Sequence, residues 1–192
     1  DYDFTTSNTK AFGGNLTQLQ NGKYGILSGD INQDGLADLY FSSTMGFCKL
    51  YLNQGNFKFK DITESAGVNG GVGIKTGTTM VDINNDGFAD IYIGNTIYKD
   101  SLRRRNILYV NQGIDKEGVP HFKDMAAAYG LNAPGTQSTQ AAFFDYDKDG
   151  DLDCYILNNS FIPVSSLNYS NERELRDKDW KVADILKGGG DK

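Results

Sequence analysis

The chain has 192 residues, a formal net charge of −6, 39% apolar residues and two cysteines. Its length suits one ordinary domain. No apolar run reaches the roughly 18 residues that a membrane-spanning helix needs, so a transmembrane segment is not expected. The chain begins at Asp1, without a methionine or a visible signal peptide, which fits a processed or trimmed product.

One nine-residue pattern rich in aspartate and asparagine occurs three times. The copies are DINQDGLAD at residues 30–38, DINNDGFAD at 82–90 and DYDKDGDLD at 145–153, called loops one, two and three below. Each has oxygen-bearing side chains at alternate positions, a glycine at position six and an aspartate at position nine. Hard cations such as Ca²⁺ prefer oxygen ligands on a sharply turning backbone. The pattern therefore predicts three loops that each bind one Ca²⁺ ion.

The predicted ligands occupy the same positions in each loop. The side chains at positions one, three, five and nine are expected to bind the ion together with the backbone carbonyl at position seven. The full set is Asp30, Asn32, Asp34, Leu36 and Asp38; Asp82, Asn84, Asp86, Phe88 and Asp90; and Asp145, Asp147, Asp149, Asp151 and Asp153. Loop three has carboxylates at positions three and seven, where the other loops have none, so its charge predicts the tightest binding.

Two other structures could account for these loops. Asp, Asn and Gly are common in ordinary turns, but ordinary turns do not require oxygens at fixed alternate positions in three copies. An EF-hand needs a glutamate at position twelve and flanking helices, whereas position twelve here is Phe41, Ile93 or Ile156. The apolar, β-branched and aromatic residues that follow each loop predict strands instead.

The repetition continues beyond the loops. LYLNQG at residues 50–55 returns as LYVNQG at 108–113, and FKDITESAGV at 59–68 returns as FKDMAAAYGL at 122–131. The repeat is thus a strand, an Asp-rich loop, a second strand, a third strand ending in Asn-Gln-Gly and a fourth strand beginning at Phe. A repeat of four short strands is typical of a β-propeller blade, so the predicted fold class is all-β.

These motifs resemble the FG-GAP or VCBS repeat family, in particular its ASPIC/UnbV-type members from Bacteroidetes-like bacteria. The resemblance rests on GDINQDGLADLYF, KLYLNQGNFKFKDITESAGV, TTMVDINNDGFADIYIGN and AAFFDYDKDGDLDCYILNN, and spans roughly residues 24–160. It implies a propeller of four-stranded antiparallel blades with Ca²⁺ in the loop between the first strands of a blade, as in integrin α-subunit heads. The resemblance specifies a fold and an ion, but not a ligand or an activity.

The repeat boundaries predict a partial propeller. A lead-in at residues 1–23 precedes repeat one at 24–68, repeat two at 69–131 and an incomplete repeat three at 132–192. Closed propellers usually have about four to eight blades, so we expect this chain to be part of a larger one, with seven blades as one option. Extra residues at 96–105 and 161–190 fit inserted loops on one face of the array.

No catalytic motif is recognisable in the sequence. There is no HExxH, CxxC, GxSxG or phosphate-loop pattern, and the single histidine, His121, is expected to be structural. Cys154 occupies the strand position of Leu39 and Ile91, which predicts a small buried apolar residue. A disulfide between Cys154 and Cys48 is not expected, because it would join nonadjacent blades.

Charge bears on the class of partner. Three Ca²⁺ ions would add about +6 to the formal net charge of −6, and a nearly neutral protein is a poor candidate for nucleic-acid binding. The basic cluster at residues 103–105 is expected to be a solvated loop feature.

The leading hypothesis is a noncatalytic, calcium-stabilised extracellular propeller that presents loops to a protein partner or a glycan. The family resemblance suggests a secreted protein or a surface lipoprotein that works with an outer-membrane complex. Two alternatives remain: a propeller lyase or hydrolase whose polysaccharide site lies on blades outside this chain, and an integrin-like adhesion module. Any partner is expected to bind through the insertions, where Tyr98 and Trp180 could stack on a glycan.

Overall fold

The computed structural model describes residues 24–44, 46–71, 73–96 and 104–159. Sheet one consists of β1 (Tyr24–Gly29), β2 (Asp38–Ser43), β3 (Lys49–Asn53) and β4 (Phe59–Asp61), and helix α1 (Thr63–Ala66) follows it. Sheet two consists of β5 (Ile74–Val81), β6 (Asp90–Thr96), β7 (Ile107–Ile114) and β8 (Pro120–Asp124). Sheet three is described by β9 (Ser138–Phe144) and β10 (Asp153–Asn158).

The first two sheets have the topology predicted for a blade. Their strands pair in the orders β1-β2-β3-β4 and β5-β6-β7-β8, and each neighbouring pair is antiparallel. A strand follows the Asp-rich loop in all three repeats, so the all-β prediction is confirmed and the EF-hand is excluded. Strand β5 contacts both β1 and β9, which places the first strands of the three sheets side by side, as in a propeller.

The two complete sheets are equivalent residue by residue. Leu39 pairs with Tyr51 in sheet one, and Ile91 pairs with Tyr109 at the same place in sheet two. The motif residues therefore lie at matching register positions. Strand β7 runs further than β3 because its register shifts after Asn111 and pairing resumes at Ile114.

Alternation along the strands gives each sheet two faces that pack against different neighbours. The cluster between sheets one and two includes Tyr40, Leu50, Leu52, Ile91, Ile93 and Tyr109. The cluster between sheets two and three includes Tyr92, Leu108, Val110, Ala141 and Ile156. Successive residues of β6 thus contact opposite neighbours, which confirms that the repeat-equivalent strand residues lie against adjacent sheets.

In each complete sheet, the third residue of the second strand is a tyrosine that hydrogen-bonds to the segment after the fourth strand. The Tyr40 hydroxyl donates to the Val68 carbonyl oxygen at 2.9 Å, and the Tyr92 hydroxyl donates to the Leu131 carbonyl oxygen at 3.0 Å. Both acceptors lie in the segment that follows the fourth strand. The tyrosine therefore ties the link between repeats back onto the sheet from which the link departs.

The first predicted insertion is shorter than expected and its C-terminal end is anchored. Thr96 is buried in β6, where it pairs with Ile74, so it belongs to the sheet. Arg104 donates to the Gly135 carbonyl oxygen at 2.9 Å, and Arg105 forms a 2.7 Å ion pair with Asp124. The prediction of a solvated feature was therefore wrong for Arg104, which is half-buried, whereas Arg105 is exposed and also paired. Residues 97–103 and the second insertion at 161–190, with Tyr98 and Trp180, lie outside the described residues.

The two cysteines are unpaired, and the single histidine contacts an aspartate in a connection between strands. Cys48 is buried and Cys154 is only half-buried, and both thiols are free. The prediction of a buried Cys154 was too strong, because no third strand covers β10 within the described part of the chain. His121 lies 3.0 Å from Asp115 and closes the connection between β7 and β8. None of the described helices is long and apolar enough to cross a membrane.

We expect Gly77→Ala to destabilise the protein by roughly 1–3 kcal/mol, the usual cost of overpacking. A β-carbon on Gly77 would overlap the Thr139 carbonyl oxygen and the Gln140 side chain, where β5 meets β9. The matched control is Gly29→Ala, whose β-carbon would lie 2.9 Å from the sulfur of Met80, a flexible side chain that can move. Urea unfolding of the intact protein measures both variants, and equal losses would contradict tight packing of first strands.

Candidate metal centres

The position-one carboxylate organises each of the first two loops. Asp30 accepts hydrogen bonds from the backbone amides of Asp34 at 3.1 Å and Gly35 at 2.9 Å. Asp82 accepts the equivalent bonds from Asp86 at 3.0 Å and Gly87 at 2.8 Å. An aspartate that accepts amides four and five residues ahead curls the backbone around its own oxygens. These hydrogen bonds therefore bend the loop without a bound ion.

Positions four and six supply the bend. The glycines at position six, Gly35, Gly87 and Gly150, have φ angles of 83°, 90° and 95°, a region that favours glycine. Position four is also left-handed in all three loops, where Gln33, Asn85 and Lys148 have φ angles of 61°, 56° and 64°. The glycine predicted for a sharp bend is thus where the bend occurs.

Positions three and five face the same space as position one. The Asp34 amide that donates to Asp30 also lies 3.3 Å from the Asn32 side-chain oxygen, and the Asn32 side-chain nitrogen donates to Asp34 at 3.0 Å. Asn84 and Asp86 repeat this arrangement in loop two, at 3.3 and 2.8 Å. The side chains at positions one, three and five therefore lie together in both loops, and their use as Ca²⁺ ligands stays a prediction.

Position seven contacts the loop through its amide. Leu36, Phe88 and Asp151 each donate a backbone N–H to the position-five carboxylate, at 2.8, 2.8 and 2.9 Å. The use of their carbonyls as ligands stays a prediction.

Position nine has a second role that the sequence did not indicate. Asp38 is fully buried and accepts the Ile31 amide at 2.9 Å on one oxygen and the Asn53 amide at 2.8 Å on the other. Asp90 is buried in the same way, between the amides of Ile83 at 2.9 Å and Asn111 at 2.7 Å. In loop three, Asp153 is exposed and accepts the Tyr146 amide at 2.8 Å. The buried carboxylate joins the start of the loop to the third strand.

This role explains the repeated Asn-Gln-Gly. The Asn111 side-chain oxygen accepts the Gly113 amide at 3.0 Å, while its backbone amide is held by Asp90. Asn53 makes the corresponding bonds with Gly55, at 2.9 Å, and with Asp38. The asparagine therefore ends the straight part of the third strand beside the loop. Sequence reasoning noted this motif but assigned it no function, although its return in both complete repeats was the available signal.

Burial makes the position-nine charge costly. Burial, with a smaller contribution from the neighbouring loop carboxylates, raises the pKa of Asp38 above its ordinary value and that of Asp90 to about 6. The amides of Asn53 and Asn111 oppose this shift by stabilising the ionised form. A cation in the loop would act in the same direction as these amides, because it attracts the charged carboxylate.

The donor set fits a calcium ion. In loop three, ligand atoms of Asp145, Asp147 and Asp149 all lie within 4.8 Å of one another. Oxygens that share one Ca²⁺ at roughly 2.3–2.6 Å can be at most about 5 Å apart, so this spacing is compatible with a shared ion. Carboxylate and amide oxygens are also the ligand class that Ca²⁺ prefers.

The comparisons with known proteins concern the region that contains these loops. The family model described as FG-GAP-like repeat matches residues 30–93, from the start of loop one into β6. Residues 30–93 are therefore similar to an FG-GAP-like repeat. The chain is also 30% identical over 144 residues to cartilage acidic protein 1 of the mouse, Mus musculus. The alignment covers 75% of this chain, and the chain spans about a fifth of the length of that curated relative, 21%.

We expect Asp90→Ala to destabilise the protein even when calcium is chelated. Removal of this carboxylate leaves the amides of Ile83 and Asn111 without their acceptor, and an unsatisfied buried group costs roughly 1–3 kcal/mol. The control, Asp86→Ala, removes an exposed carboxylate from the same loop and should cause a smaller loss. Denaturant unfolding in EDTA compares the two. A larger loss for Asp86→Ala would mean that position nine does not anchor the loop to β7.

Proposed function

We propose that this chain is part of a noncatalytic, calcium-stabilised extracellular propeller that presents loops for binding a protein or a glycan. The observation that carries the proposal is the convergence of side-chain oxygens in equivalent loops, seen most directly in the spacing of Asp145, Asp147 and Asp149. The FG-GAP-like repeat at residues 30–93 and the propeller-like arrangement of the sheets support a scaffold of this kind.

The proposed ligands are those predicted from the sequence, and we expect the side chains at positions one, three and five to contribute most to binding. Positions one, three and five would hold each ion, because in loops one and two the side-chain oxygens of positions one and three already share the backbone amide of position five. Position nine would add a buried carboxylate while it stays attached to the third strand. A bound Ca²⁺ would supply positive charge and cross-link the loop. Aspartate side chains at positions one and five would then bind the ion instead of repelling each other.

The finer parts of the proposal concern subtype and location. The ASPIC/UnbV-type assignment, the blade number and a place on the cell surface as a lipoprotein within an outer-membrane assembly are supported by the motif resemblance. An extracellular location is further supported by the similarity to a protein named for cartilage, a tissue rich in extracellular matrix. A noncatalytic role is supported by the engagement of the loop carboxylates and of His121 in local hydrogen bonds.

Calcium is expected to stabilise the protein against unfolding. A ligand that binds only the folded state at 100 times its dissociation constant adds about 2.7 kcal/mol for each site. We expect EDTA to lower the melting temperature and added Ca²⁺ to restore it. Asp34→Ala, Asp86→Ala and Asp149→Ala should each remove part of the calcium response, and thermal unfolding in matched buffers measures it. A calcium response that survives in all three variants would place the stabilising ion elsewhere.

Partner binding is expected to depend on the inserted connections and not on the metal loops. Replacement of residues 97–103 by a short Gly-Ser linker should reduce capture of a protein partner or binding to a glycan array, while the calcium response stays intact. This replacement leaves Arg104 and Arg105 unchanged, because they bind Gly135 and Asp124. Lys116→Ala in the exposed β7–β8 connection is the control. Undiminished binding after deletion of both 97–103 and 161–190 would move the partner site to another surface.

A further inference from the structure

Loops one and two contact each other through a side chain at position four. The Gln33 side-chain nitrogen donates to the Gly87 carbonyl oxygen at 2.8 Å, across 54 residues of sequence. Gly87 is the position-six glycine at the bend of loop two, and a β-carbon there would lie 3.3 Å from the same nitrogen. Gln33 therefore rests against the part of loop two that turns most sharply.

A second connection runs in the opposite direction and is buried. The Asn111 side-chain nitrogen donates to the Ile31 carbonyl oxygen in loop one at 3.2 Å and to the Ala89 carbonyl oxygen in loop two at 3.5 Å. Asn111 is 1% exposed, and its backbone amide is bound to Asp90. One residue of β7 thus contacts position two of loop one and positions eight and nine of loop two.

Part of this arrangement is repeated in sheet one. Asn53, the equivalent of Asn111, donates its side-chain nitrogen to Ala37 of loop one, as Asn111 does to Ala89 of loop two. Asn85, the equivalent of Gln33, is one methylene shorter and makes no side-chain hydrogen bond to a described residue of loop three. The longer side chain at position four therefore links loop one to loop two, whereas the shorter one does not link loop two to loop three.

The charges of the two loops favour positive cooperativity between their ion sites. Loops one and two each carry three carboxylates, so adjacent unloaded loops repel each other. One Ca²⁺ reduces the formal charge of its loop from −3 to −1, which lowers this repulsion for the neighbouring loop. An ion that orders one loop also orders the groups that its neighbour contacts, so the second ion meets a smaller ordering cost.

We propose that loops one and two form one cooperative calcium-binding unit, in which Gln33 and Asn111 are positioning residues that link the two ion sites. This inference rests on the calcium binding proposed above. Filling of loop one holds the Ile31 carbonyl and the Gln33 side chain in place, and these groups contact Asn111 of β7 and Gly87 of loop two. Coupling is reciprocal, so filling of loop two raises the affinity of loop one by the same factor.

The loops can be followed separately by NMR. The position-six amides of Gly35, Gly87 and Gly150 each donate to the position-one carboxylate of their own loop, so each amide resonance reports on one site. Calcium titration of the ¹⁵N-labelled intact protein gives a midpoint for each glycine. In Asp34→Ala, which impairs loop one, the Gly87 midpoint should rise at least about fivefold. In Asp149→Ala, which impairs loop three, the Gly87 midpoint should rise by a smaller factor than in Asp34→Ala, because no side-chain hydrogen bond joins the described residues of loops two and three.

Gln33→Asn tests the link without removal of any ligand. Asparagine tolerates the left-handed backbone at position four but is too short to reach Gly87. Loss of one hydrogen bond should raise the Gly87 midpoint roughly two- to tenfold. If no glycine responds to calcium, the proposed function fails, and this inference fails with it. If all three glycines respond but the Gly87 midpoint ignores Gln33→Asn, or shifts equally in Asp34→Ala and Asp149→Ala, calcium binding stands and cooperative coupling is overturned.

Discussion

The buried carboxylate at position nine is the interaction on which the rest of the repeat depends. Asp38 and Asp90 each accept one amide from the start of their own loop and one from the third strand. A loop that would otherwise join only two strands is thereby joined to three. Because the charge is desolvated, these two bonds offset only part of its cost, and a cation nearby would offset more. Loop geometry and sheet geometry are therefore not independent in this protein.

The same dependence extends from one sheet to the next. Tyr40 and Tyr92 occupy equivalent positions, and each hydroxyl holds the link that leads to the following repeat. Asn106 adds to this in sheet two, since its side chain donates to the Tyr92 hydroxyl at 2.7 Å and to Ser138 of β9 at 2.8 Å. Polar bonds between sheets thus accompany the apolar clusters. They fix the orientation of each sheet, which apolar contact alone does not specify.

Much of this fold could be predicted from the sequence, and the parts that could not share one cause. Strands, loops and repeat equivalences follow from spacing, because position in a loop and alternation in a strand are local properties. The bonds of Asp90 with Asn111, and of Gln33 with Gly87, join residues distant in the sequence. They depend on how the third strand and the neighbouring sheet are placed, and a single sequence does not state that placement. Arg105 illustrates the same point, since its pairing with Asp124 was not visible from its basic neighbours.

Sheet three shows how far burial is a property of neighbours and not of residue type. Tyr155 occupies the position of Tyr40 and Tyr92, yet it is 45% exposed while they are 0% and 1% exposed. In sheets one and two the third strand and the following link cover this tyrosine, whereas β10 has no third strand among the described residues. Asp153 differs from Asp38 and Asp90 in the same sense, because no described strand approaches its second oxygen. The repeat motif therefore specifies where the tyrosine and the aspartate lie, but these residues become buried only when the third strand packs beside them.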